Sequence, residues 1–242
     1  MLANALYAAG VVSRGDAEKA VGRYAPALKE AYEGWTARKL GFFVDEDEGK
    51  DEEKTAGVGV GGARVGGGSV GSSTPGGPLA GALLEAMQRD KADFTNTWRA
   101  LASVPLEPEA REVEGGLPAS LERALASSPT ALSDPSRLAA WRQWLGAWRA
   151  ALRAAGGPSA VDASRQALQR ASSPKYVPRQ HLLQEAIAAA EAGDGGEELA
   201  RLMRAVTRPY EEQDGTDGAP ATDAKYASPP PPAFSCMLSC SS

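Results

Sequence analysis

Cysteine is nearly absent from this sequence. Cys236 and Cys240 are the only two, both within the last seven of 242 residues, which excludes a disulfide-stapled core and any framework of Cys-x-x-Cys pairs. Histidine occurs once. His181 alone makes neither a catalytic triad nor a metal cluster, and with no nucleophile suggested beside it, it reads as a structural or surface residue. No run approaches ~18 uninterrupted apolar residues, so nothing in the sequence spans a bilayer and no membrane partner is expected. The opening Met1 to Val12 is short and lacks a charged leading region, and it is not the Arg- and Ser-rich amphipathic start of an organellar address, so the address is absent or the true N-terminus lies elsewhere. A dominant positive charge is missing too. The net charge is -5 with signs interspersed, which leaves no basic face for nucleic acid.

What the sequence does have is helical periodicity. At 43% apolar residues it can form a core, but Gly and Pro concentrate in one internal stretch and one tail, so the expected fold is all-α, one modest helical core with long excursions. Four regions follow: helix over 1–42, an acidic and Gly-rich disordered insertion over 43–78, a helical core over 79–206, and an extended Pro-rich tail over 207–242. Within the first, a helix end stops at Gly10, and Asp16 caps a helix over 16–39 that sets Ala17, Val21, Tyr24, Leu28, Tyr32 and Trp35 on one face. Pro26 is expected to kink or split it. Asp45 to Glu53 reads as solvated charge. Gly57, Gly59 and Gly62 match G-x-G-x-x-G, but no strand precedes them and no helix opens from them, so they read as low complexity.

A helix over 79–102 places Leu83, Met87, Phe94, Trp98 and Leu101 inward. Val104 to Pro118 is a loop, a short helix follows to Ala126, and Ser127 to Ser133 is a turn. Asp134-Pro135 opens a helix to residue 155, by an acceptor cap followed by proline in the first turn. Leu138, Trp141, Leu145, Trp148 and Leu152 face inward with Trp144 beside them, and Arg142, Arg149 and Arg153 interleave with these rings. That pattern is packing, with stacking on a nucleotide base as the sharper alternative. Helices over 159–171, 178–192 and 194–206 follow, the last burying Leu199, Leu202, Met203 and Val206.

Ser173 to Ile187 joins a rigid turn to a helix start. Pro174 and Pro178 hold the entry extended, and Pro178 suits the first turn of the next helix. Lys175 and Arg179 flank Tyr176 there, so the stretch is either a plain connector or a contact loop. Its residues, Ser173-Pro-Lys-Tyr-Val-Pro-Arg-Gln-His, resemble the Asn-Pro-Lys-Tyr-Val-x-Arg-Asn motif of the selenoprotein O family. The ending Cys240-Ser241-Ser242 is similar to that family's selenocysteine or cysteine followed by two serines. Arg208-Pro-Tyr-Glu-Glu212, Ala190-Glu-Ala-Gly-Asp194, Asp93-Phe94-Thr95 with Arg99 and Leu101, and Lys39-Leu40-Gly41 agree in order. Ser173 and Gln180 stand where the family has Asn, and Asp45 to Pro78 is an addition to its pattern.

The resemblance implies the C-terminal helical part of a protein-kinase-like fold, in a protein that transfers AMP from ATP to protein Ser, Thr or Tyr hydroxyls with Mg2+ or Mn2+. The family's nucleotide-clamping Lys and Arg, its Asn-Asp catalytic stretch and its metal-binding Asp-Tyr-Gly belong upstream of this part. No Asp-Tyr-Gly or Asp-Phe-Gly occurs in the sequence. The implied partners are therefore a missing N-terminal kinase-like half and protein substrates, and the chain alone is expected to be inactive. No catalytic, cofactor-binding or metal residue is assigned. Pro174, Lys175, Tyr176, Val177 and Arg179 are assigned structural support. Cys240, with Cys236, is the candidate redox regulator, because the family's terminal residue forms a redox-sensitive bond with a cysteine near the activation segment. In a eukaryote the resemblance implies a mitochondrial location. The competing readings are a non-enzymatic helical interaction module, using the tryptophan helix and the proline tail, and a decayed gene fragment.

Overall fold

The computed structural model describes residues 7–43, 76–213 and 225–231. Cys236, Cys240, the acidic run, the Gly57 to Gly62 motif and most of the expected insertion lie outside the described residues. Those described are helical, with no strand among them. Among the described residues these α-helices follow in order: α1 (Arg14–Leu40), α2 (Gly76–Asp90), α3 (Phe94–Leu101), α4 (Ala110–Val113), α5 (Ala119–Ala124), α6 (Pro129–Ser133), α7 (Pro135–Ala155), α8 (Asp162–Ser172), α9 (Gln180–Glu191) and α10 (Glu197–Thr207). A 3-10 turn, Gly157–Ala160, joins α7 to α8.

α7 organises the larger core. Asp134 accepts from the Ser136 and Arg137 amides, and Pro135 occupies the first turn, where its missing N–H costs no helix bond. Its three indoles each fasten a different point. Trp141 Nε1 donates to Asp90 Oδ2 at 2.8 Å, Trp144 Nε1 to the Leu79 carbonyl at 2.9 Å, and Trp148 Nε1 to the Leu40 carbonyl at 2.8 Å. The Trp144 and Trp148 rings stack, 5.9 Å apart and 9° from parallel. A buried indole needs a partner for its N–H, so each bond fixes where a neighbouring helix begins or ends. Leu83, Met87, Leu101, Leu121, Leu145 and Leu152 fill the space between. The tryptophan helix therefore offers no aromatic face to a partner.

Two of the three interleaved arginines, Arg149 and Arg153, serve the same packing, while Arg142 is exposed. Arg149 pairs with both carboxylate oxygens of Glu112 at 2.7 and 2.8 Å and donates to the Pro105 carbonyl, while Arg153 reaches the Leu106 carbonyl and Glu107. They tie down the 103–113 loop, which contains the short helix α4.

Several expectations are corrected. The single helix over 79–102 is two, because Lys91 takes a left-handed φ of 53° and Asp93 then caps α3 through the Asn96 amide. Phe94, expected inward, is 57% exposed. The turn over 127–133 contains α6, and α2 begins at Gly76, inside the expected insertion. α1 runs through Pro26 as one helix. Its apolar stripe, however, is exposed, and only Thr36, Ala37 and Leu40 of α1 are buried. In α10, Leu199 and Met203 are exposed, and Glu198, Leu202 and Ala205 take the buried face.

A smaller core forms where α9, α10 and the returning tail meet, from Tyr176, Leu182, Ala186, Leu202, Ala205 and Tyr226. Tyr226 donates to Glu198 Oε1 at 2.9 Å and Lys225 pairs with the same carboxylate at 2.7 Å. Burial pushes the Glu198 carboxyl up, but these bonds pull it below its ordinary value.

Candidate functional site

The Ser173–Arg179 connector lies where the two cores meet. Ser172 ends α8 and Arg179 is the N-cap of α9, so Pro178 precedes the helix instead of sitting in its first turn. The extended backbone turns its donors toward the segment after α10. The Lys175 and Tyr176 amides both donate to the Pro209 carbonyl, at 2.6 and 3.3 Å. Tyr176 is 1% exposed, and its hydroxyl accepts from the Gln213 amide at 3.3 Å. Gln213 Nε2 in turn bonds the Ala205 and Arg208 carbonyls. Pro174 and Val177 are half-buried.

Both cations of the motif face carboxylates. Arg179 grips Asp93 with two bonds, Nη1 to Oδ2 at 2.6 Å and Nη2 to Oδ1 at 2.9 Å, and touches Asn96 Oδ1 at 3.3 Å. Such a fork-to-fork pair fixes geometry as well as charge. Asp93 thus caps α3 and receives the start of α9. Lys175 pairs with Glu212, which also accepts from Arg99 at 2.7 Å. Burial pushes the Glu212 carboxyl up, while the Lys175 and Arg99 bonds hold it below its ordinary value. Arg99 Nη1 donates to the Arg170 and Ser173 carbonyls at 2.8 Å each, and Nη2 reaches the Tyr210 carbonyl. One guanidinium therefore joins α3, the end of α8 and the post-α10 segment. His181, 6% exposed, has its pKa pushed down by burial, which keeps the imidazole neutral near pH 7.

These contacts assemble separate stretches of sequence. Residues 93–99, 173–179 and 208–213 form one network. Lys39 to Gly41 form a second junction, where Gln169 Nε2 donates to the Lys39 carbonyl at 3.0 Å. Gly41 there has φ 91°, and a Cβ on it would meet Arg165 Cγ at 2.5 Å. Asp194, two residues before the Gly196 N-cap of α10, accepts from the Gly196 and Glu198 amides. Each stretch that carries the family resemblance and lies among the described residues is thus a structural junction. Sequence reasoning noticed Asp93, Arg99 and Glu212 but gave them no chemistry. It missed Asn96, Gln213, Lys225 and Tyr226, for which sequence spacing carries no signal.

Ser173 opens the connector. It is fully buried and its Oγ has no hydrogen-bond partner. A buried hydroxyl without a partner is a net cost, so Ser173→Ala is expected to leave stability unchanged or raise it by about 1 kcal/mol. A fall of more than about 1 kcal/mol in urea unfolding would show that the hydroxyl has a role.

The described residues gather no cluster of metal-ligating side chains. No three His, Cys, Asp or Glu side chains among them are placed to share an ion, and the motif's two cations are engaged by Glu212 and Asp93. No step of catalysis is derived from them. Among the described residues no helix is long and apolar enough to cross a membrane.

Fold and connector together define a class, an all-helical scaffold clasped by internal ion pairs. No family model matches the chain. Individual proteins do. The chain is 30% identical over 217 residues to the protein nucleotidyltransferase YdiU of Rhodopseudomonas palustris (strain BisB18), covering 90% of this chain and 33% of that protein. It is 30% identical over 218 residues to the YdiU of Rhizobium meliloti (strain 1021), covering 89% and 33%. A third, from Syntrophotalea carbinolica, is 35% identical over 152 residues, covering 62% and 24%. The chain belongs to the YdiU-like family, that of selenoprotein O, and spans about a third of the length of the curated relatives it matches.

Proposed function

We propose that this chain is the helical support of a YdiU-like protein nucleotidyltransferase and that the nucleotide chemistry resides in sequence it does not span. In that reading the complete protein transfers AMP from ATP to protein Ser, Thr or Tyr hydroxyls, using Mg2+ or Mn2+ in a kinase-like catalytic half. This chain braces that half and Cys240, with Cys236, answers to redox state. The observation that carries the reading is the connector: its two cations hold Glu212 and Asp93, so they brace helices and do not clamp phosphate.

The test uses ATP labelled at the α-phosphate, which AMP transfer retains. Incubated with Mg2+ or Mn2+ and a mixed protein substrate, the Rhodopseudomonas relative is expected to label protein and this chain alone to label none. Labelling by the chain alone, above a heat-denatured control, would overturn the assignment.

A further inference from the structure

We propose that the exposed apolar face of α1 is the docking surface for the part of a YdiU-like protein that this chain does not span. This rests on the reading of the chain as one portion of such a protein. Val21, Tyr24, Leu28, Tyr32 and Trp35 are 59, 68, 54, 56 and 39% exposed. At 3.6 residues per turn they fall within an arc of about 80°. Glu18, Lys19, Arg23, Lys29, Glu30 and Glu33 occupy other parts of the circumference. The residues that anchor the helix, Thr36, Ala37 and Leu40, centre roughly 130° from the stripe. The stripe therefore turns away from the core that holds the helix.

The helix itself asks for a partner. Residues 18–29 are all exposed, which leaves about 18 Å of helix unpacked at 1.5 Å per residue. Helices that short are marginal in water unless an amphipathic face is buried. Two tyrosines and a tryptophan beside two aliphatic side chains are the residue types that fill interface cores.

The length of the relatives says what covers it. A match of 217 residues in a chain of 242 starts no later than about residue 26, so Leu28, Tyr32 and Trp35 lie inside the matched span wherever it begins. The chain covers 33% of that relative, and the remaining two-thirds is polypeptide available in the same molecule to bury the stripe.

The experiment is thiol labelling. Tyr32→Cys is made in this chain together with Cys236→Ser and Cys240→Ser, and a cysteine is placed at the aligned position of the full-length, otherwise cysteine-free Rhodopseudomonas relative. Leu28→Cys is the second site, and circular dichroism checks each fold. A maleimide is expected to label this chain at the rate of an exposed thiol at every protein concentration, and the folded relative at least ten-fold more slowly, with the rate restored by urea. Equal fast labelling of both proteins overturns the proposal. So does slow labelling of this chain alone, whether it depends on concentration, meaning a second copy, or not, meaning the chain's own other residues. Labelling needs no nucleotide, so AMP transfer by this chain alone would sink the proposed function while leaving the burial result to be judged by itself.

Discussion

Arg149→Met is expected to cost about 3 to 5 kcal/mol of stability at neutral pH, the range for stranding one partner of a buried ion pair. The side chains of Arg149 and Glu112 are only 6% and 9% exposed. Methionine fills much of the arginine stem but supplies no donor, so the Glu112 carboxylate keeps the Glu109 amide and loses two charged bonds. In a chain of this length the midpoint should fall by roughly 6 to 20 °C. The sign of the pH dependence follows. Burial pushes the Glu112 carboxyl up, but the Arg149 and Glu109 bonds bring it below its ordinary value. A carboxyl with a lowered folded pKa stabilises above the unfolded value of about 4.3 and loses that contribution as pH falls through the folded one. In the variant burial is opposed by the Glu109 amide without the Arg149 bonds, so the carboxyl rises and protonation relieves it. The gap between wild type and Arg149→Met should be widest near neutrality, begin to narrow above about 4.3 as pH falls through the variant's raised pKa, and narrow further below it as the wild type's lowered one is passed. Adding Glu112→Leu should recover most of the loss, because an apolar pair can replace a buried ionic one at little cost. Urea unfolding at several pH values measures all of this, and a single-variant loss below about 1 kcal/mol would mean the pair behaves as an exposed one.

How much of this was legible beforehand depends on how far apart the partners lie. α7 was legible throughout, since Asp134, Pro135, the Trp and Leu spacing and Gly156 are local signals that act within a few residues. The extended entry at Pro174 and Pro178 was legible for the same reason. The stripe of α1 was legible in its period but not in its exposure, because periodicity shows that a face is apolar and not what covers it. In α10 the buried face includes Glu198, which a hydrophobic pattern places outside. Lys225 and Tyr226 arrive from beyond the helix to satisfy that carboxylate, and no local rule anticipates them. The roles of Lys175 and Arg179 were hidden likewise, since Glu212 and Asp93 lie 37 and 86 residues away.

Those two cations set up the second large effect, because the same motif holds one buried pair and one exposed pair. Arg179→Met is expected to cost about 3 to 5 kcal/mol, as it leaves the Asp93 carboxylate buried without its fork; that side chain is 7% exposed and that of Arg179 12%. Lys175→Met should cost no more than about 1 kcal/mol, since Glu212 is 58% exposed and an exposed pair is screened by water. The loss in Arg179→Met should also have a place. Asp93 ties α3 to the start of α9, so amide exchange should quicken at Lys175 and Tyr176, whose N–H groups bond Pro209, and at Gln213, while the Trp141 to Trp148 core of α7 stays protected. Comparable losses from the two substitutions would contradict the clasp. The same pair of substitutions, carried to the aligned positions of the full-length relative, separates support from catalysis. A brace predicts a lower midpoint for the arginine variant with KM for ATP unchanged below that midpoint. A phosphate clamp predicts a raised KM with the midpoint intact, and that outcome would return the motif to the active site.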